Sequence, residues 1–198
     1  IMSDRLDEAD ALATQAVALM ALHLLPAAAG AWAGAVLMAL GGAFYVVAGF
    51  LVVRGHAGGG WRLATDWANA NCILHGALSI TGLTAVVGRW FDARALTAYW
   101  VAVIAVFVVV EAIEVARLAA RVRTVGWREG LFVYDVSQWA RNFTFGMFTA
   151  FTLAFAQAYP VIAPPGLAAL RAAIIAVGPS AVLVLRVVEA GLMLTGSR

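Results

Sequence analysis

Lysine is missing from this chain altogether, cysteine occurs once, and charged residues make up only 12% of its 198 positions. Ordinary soluble domains are about a quarter charged, so the shortage of charge removes the surface that a water-soluble fold needs. Because every basic side chain is arginine, and alanine and valine abound, the missing lysine reads as the bias of a GC-rich genome. The lone Cys72 excludes an internal disulfide, a cysteine-based zinc site and a thiol–disulfide pair, and reads as a small buried apolar residue. A net charge of +2 comes from arginines in the connections, without the basic stripe that nucleic-acid binding requires. Catalytic signatures are missing too. Gly58-Gly59-Gly60 lacks the following Lys and Ser or Thr of a phosphate loop, and no Gly-x-Ser-x-Gly or His-Glu-x-x-His occurs. The acidic start, Asp4 to Asp10, is unlike the basic head of a cleaved signal peptide.

What the chain has in quantity is apolar sequence: 64% of it is hydrophobic. A membrane crossing takes about 20 mostly apolar residues for about 30 Å of hydrocarbon. Six stretches qualify, near Ala11 to Ala28, Trp32 to Val53, Trp67 to Val87, Leu96 to Ala120, Leu131 to Ala158 and Leu167 to Leu194. Backbone groups in hydrocarbon must be satisfied within their own segment, and no ten-residue alternation suggests a barrel, so the expected fold is all-α. One domain of six transmembrane helices, arranged as three hairpins, fills the whole chain.

Pro26 to Gly30 and Tyr159 to Gly166 read as short apolar turns, whereas the other connections are charged. Placing the N-terminus in the cytoplasm puts Arg5, Arg54, Arg62, Arg117, Arg121, Arg123, Arg128 and Arg198 inside, with only Arg89, Arg94 and Arg171 toward the outside. The positive-inside bias therefore favours N-in and C-in. Trp32, Trp61, Trp67, Trp90 and Trp127 fall near span ends, where interfacial aromatics belong. Gly41, Gly42, Gly49, Gly76 and Gly82 offer flat faces for close helix packing, or equally for self-association, and Pro179 is expected to kink the last helix.

Ionisable residues within such spans are costly and point to function or to one another. Glu111, Glu114 and Arg117 recur every three residues on the fourth helix with Arg121 one turn on, and Asp135, Gln138 and Asn142 share a face of the fifth beside Arg141. At about 1.5 Å per residue, Glu111 and Arg141 both lie roughly 15 Å in from the cytoplasmic loop, and Arg117 and Asp135 roughly 6 Å in. Arg186 and Glu189 are three apart on the last helix, and Asn69, Asn71 and His75 enter from the same side on the third. The expectation is a polar cluster in the cytoplasmic half of the bundle. It is either a mutually neutralised network holding the helices in register or the lining of a watery cavity where Glu111 or Glu114 exchanges a proton or binds a cation or polar solute. His23 and His75 each stand alone on apolar faces, as core histidines do, without the paired histidines of a transmembrane haem. The Glu-x-x-His repeats of di-iron bundles are missing, so neither metal nor cofactor is expected. The series Phe143, Phe145, Phe148, Phe151 and Phe155 reads as lipid-facing or core packing.

Ala35 to Gly42 after Pro26, with Gly49, and the run from Ala95-Leu96-Thr97-Ala98-Tyr99-Trp100 to Glu111-Ala112-Ile113-Glu114-Val115-Ala116-Arg117 resemble hairpins of the HdeD-type acid-resistance membrane proteins. That resemblance implies a six-helix inner-membrane protein linked to acid stress, with no established enzymatic site. The expected role is a non-enzymatic, stress-protective or accessory one, working in the lipid bilayer with a second copy or a membrane-complex partner. The alternative is a transporter or channel for a small solute or ion, coupled to protons.

Overall fold

The computed structural model describes residues 25, 27–57, 62–63, 67–132, 134–135, 137–162 and 164–196. The expected first span lies almost wholly outside these residues, as do His23, Trp61 and Gly58 to Gly60.

Five α-helices make up the described chain: α1 (Ala27–Ala57), α2 (Ile73–Gly88), α3 (Ala93–Leu131), α4 (Gln138–Ala158) and α5 (Pro165–Gly196), with a 3₁₀ turn at Asn69–Cys72 leading into α2. No strand occurs among the described residues, in keeping with the all-α expectation. Local chemistry sets the ends. Asp92 caps α3 by accepting a 2.8 Å hydrogen bond from the Ala95 amide. Pro165 sits at the first helical position of α5, where a missing N–H costs nothing. α1 begins at Ala27, before the expected Trp32, and carries Gly30 inside the helix rather than in a turn, because three alanines in succession are the strongest helix formers.

α1, α3 and α5 are each long and apolar enough to cross a membrane. Their large apolar side chains point outward: Trp32, Val46 and Phe50 on α1 and Leu183, Val184 and Val187 on α5 are all more than half exposed. Exposed apolar surface on this scale requires lipid as its solvent. The chain is thus a helical membrane protein. Among the described residues three, not six, long apolar spans occur, however. α2 has only 16 residues, and α4, with 21, interrupts its apolar surface with Gln138, Arg141, Asn142 and three threonines.

Three boundaries also differ from expectation. α3 continues some ten residues past Ala120, since arginines do not stop a helix once it leaves hydrocarbon; its path breaks only at Gly126, whose φ of 83° and ψ of 172° fall in a region that essentially only glycine adopts. Beyond that break the chain folds back, so that Gly130 packs on Val122. α4 starts at Gln138 rather than Leu131, and α5 runs through Pro179 to Gly196.

The dry core sits between α2, α3 and α4. Leu96, Trp100 and Val103 of α3 pack with Phe148, Phe151 and Phe155 of α4 and Ala85 and Val86 of α2. Trp100 is fully buried and donates its indole N–H to Thr152 Oγ1 at 3.1 Å. Gly76 and Gly82 let α2 lie directly on Thr144 and Phe151 of α4, as expected of packing glycines, whereas Gly42 and Gly49 face open space. Trp67 is buried edge-on against His56 rather than interfacial. Arg171, counted as an outer loop charge from sequence, is buried: it donates to the Tyr159 carbonyl at 2.7 Å and the Pro160 carbonyl at 2.5 Å, completing the end of α4.

Candidate functional site

The opposite end of the bundle is polar. It is built where the 3₁₀ turn and the start of α2, α3 from its midpoint onward, the start of α4 and the end of α5 come together. Helical spacing of three places Glu111, Glu114 and Arg117 on one stripe of α3 facing α4. Arg141 reaches across from α4, its Nη2 lying 2.9 Å from Glu114 Oε2 and its Nε 3.9 Å from Glu111 Oε2. The approach to Glu114 is an ion pair off the line of the N–H, so neither Nη2 nor Nε of Arg141 completes an aligned hydrogen bond. Arg117 donates to the same Glu114 Oε2 at 3.3 Å and also to Asn69 Oδ1. Asn69 in turn donates to Ser137 Oγ at 2.9 Å, tying the 3₁₀ turn to the entry of α4.

His75 is fully buried, with Nε2 3.2 Å from Glu111 Oε1. Its ring stands edge-on to Phe107 and Phe145, with centroids 4.7 and 5.9 Å away. It is a hydrogen-bonded core histidine on the border between the charges and the aromatic core. Across the bundle, Glu189 of α5 is 3% exposed and accepts a hydrogen bond from Asn142 of α4.

These groups surround a cavity of about 270 Å³. Its charged lining is Glu111, Glu114, Glu189, Arg117, Arg121 and Arg141; Gln138, Asn142 and Asn69 add neutral polar groups, and Val115, Leu185 and Val188 supply apolar wall. Glu114 and Glu189 are both more than nine-tenths buried, and each keeps one carboxylate oxygen without a hydrogen-bond partner. Unpaired buried oxygens of this kind carry a desolvation cost of about 1–3 kcal/mol or more, which an incoming donor or cation would offset.

Most of the sequence-picked cluster is therefore gathered at one place: Glu111, Glu114, Arg117, Gln138, Arg141, Asn142 and Glu189 line the cavity, and His75 backs it. Three expectations do not hold. Asp135 does not meet Arg117; it stays in the exposed loop before α4 and accepts the Ser137 hydroxyl at 2.6 Å and amide at 2.8 Å, because the chain there is not yet helical. Those two donors hold its carboxyl below the usual carboxylate range. Arg186 is exposed on α5 and leaves Glu189 to Asn142, since residues three apart are offset by about 60° around a helix and the edge of the buried face falls between them. Asn71 is buried beside the turn but does not line the cavity. Sequence reasoning missed Ser137, which links two elements through Asn69, and the aliphatic face of α5 as cavity wall; neither has a local signal. Among the described residues, no group of three or more His, Cys, Asp or Glu side chains forms a candidate metal site. No family model, no curated protein and no solved structure matches this chain.

Proposed function

We propose that this is a multi-pass protein of the inner (plasma) membrane whose charged cavity binds a small polar solute or ion on its way across, making it a transporter or channel. The observation that carries the reading is the pair of buried carboxylates, Glu114 and Glu189, each lining the cavity with one oxygen unpartnered. Intramembrane charge on that scale is the usual mark of a solute or ion pathway. In this reading α2, extended by its 3₁₀ turn, and α4 cross the membrane as central helices. Neighbours shield them from lipid, so they need neither great length nor an unbroken apolar surface. With a first span before Ala27 the count returns to six, N-in and C-in, and the cavity opens toward the cytoplasm.

A second reading is favoured by how well the charges pair: Glu111 and Glu114 are both answered by Arg141, with Arg117 and His75 beside them. A neutralised network of this kind suits an HdeD-like protective or accessory protein, in which the cluster only holds helices in register. Proton and cation flux into liposomes separates the two. Under the transport reading the reconstituted parent conducts, and Glu111→Gln, verified as folded, does not. A parent that passes neither protons, cations nor a labelled small polar solute while Arg141→Met melts early would overturn it in favour of the structural network.

A further inference from the structure

The lining charges do not all pair. Glu111 and Glu114 are compensated by Arg141 and Arg117. Glu189, on α5, makes its hydrogen bond to the neutral Asn142, and among the described residues no arginine lies within ion-pair reach of it. Arg121, one turn beyond Arg117 at the outer end of the stripe, likewise makes no ion pair among the described residues; Asp135 feels its charge only weakly and is engaged by Ser137. One cavity thus holds, on one wall, a carboxylate that Arg141 reaches only from beyond ion-pair distance and, on another, a guanidinium that makes no ion pair among the described residues. A simple cation would answer Glu189 and leave Arg121 unmet, and a simple anion would do the reverse. A solute with both charges answers both while adding no net charge to a low-dielectric site.

Resting on the transport reading above, we infer that the cavity takes a small zwitterion, with its ammonium group on Glu189 and its carboxylate on Arg121. The ammonium supplies the N–H donors that the free Glu189 oxygen lacks, and the guanidinium offers a planar fork to the carboxylate. Between the two ends, Val115, Leu185 and Val188 present an apolar wall suited to an aliphatic chain. A volume of about 270 Å³ lies just below the range of drug-sized pockets, about 300 Å³ upward, and fits a solute of amino-acid size.

Titration calorimetry on the full chain in detergent tests this with three probes of equal length: γ-aminobutyrate, butylammonium and butyrate. The zwitterion is expected to bind at least about tenfold more tightly than either half, as one charged hydrogen bond gained at each end implies. Glu189→Gln, which keeps an acceptor for Asn142, should erase the preference over butyrate, and Arg121→Gln the preference over butylammonium, each with unchanged melting temperature. Butylammonium or butyrate binding as tightly as the zwitterion overturns the inference but leaves an ion-binding cavity standing. Absence of heat with all three probes, on protein that is folded and monodisperse, overturns the inference, and the flux measurement above then decides the transport reading by itself.

Discussion

Arg141 reaches two carboxylates of α3 from the first turn of α4, and among the described residues it is the one cation in ion-pair reach of both. Removing it leaves Glu111 with His75 alone and Glu114 with Arg117 alone in a poorly solvated site, so Arg141→Met should destabilise by up to about 3–5 kcal/mol, whereas Glu114→Gln, which removes a charge instead of weakening the compensation of two, should cost clearly less. Denaturant unfolding of the purified variants checks the order; equal losses would mean that Arg141 contributes packing rather than charge. Asp135 gives a pH prediction of the opposite kind. Its folded value lies below the ordinary 3.8, so the stability from its Ser137 bonds is fully present above the ordinary value and fades as pH falls through the folded one. Amide exchange at Ser137 and Gln138 should accelerate only in that acidic window, and Asp135→Asn should remove the pH dependence. The stripe of Glu111, Glu114 and Arg117 was legible in sequence because helical spacing puts three charges on one face whatever surrounds the helix. Asp135 was misplaced because its depth was counted along a helix that does not begin until Gln138.

At the level of elements, α2 and α4 form the closest contact in the bundle, and glycines make it. A Cβ at Gly76 would run into Thr144, and one at Gly82 into the Phe151 ring. Gly76→Val should therefore destabilise by about 1–3 kcal/mol through overpacking. Gly42→Val on α1, where nothing lies within 4 Å, serves as the matched control and should change little; similar losses at both sites would place the effect in the helix backbone instead of the contact. Helix identity could be read from long apolar runs, since α1, α3 and α5 advertise themselves by length. The ends were harder. The fold-back after Gly126 depends on one residue's backbone freedom and on Val122 receiving Gly130, a tertiary contact without a pattern of its own.

For the whole molecule, the prediction concerns its solvent. Val47 on α1 is 54% exposed and Val184 on α5 is 60% exposed. Cys72 is the only cysteine, so a Cys72→Ala background allows one spin label at either valine. In bilayers both labels should relax faster with oxygen, which concentrates in hydrocarbon, than with a water-soluble nickel chelate; the reverse order would place those faces in water. Composition made this lipid-facing character legible from the start, while the cavity, which needs four separate elements to converge, was one of two readings of the charge cluster, and its apolar wall on α5 was not foreseen.

His75 marks where that cluster stops. Behind it Phe145 and Phe148 each stand in ring contact with Phe107, with centroids 4.9 Å apart in both pairs. A hydrated ion arriving at Glu111 meets a wall that can replace none of its water, and narrow apolar barriers of this kind stay shut by excluding water. If the charged chamber is the proposed solute pathway, the phenylalanine column is its valve, and a cargo would leave by the far side only when that column turns aside.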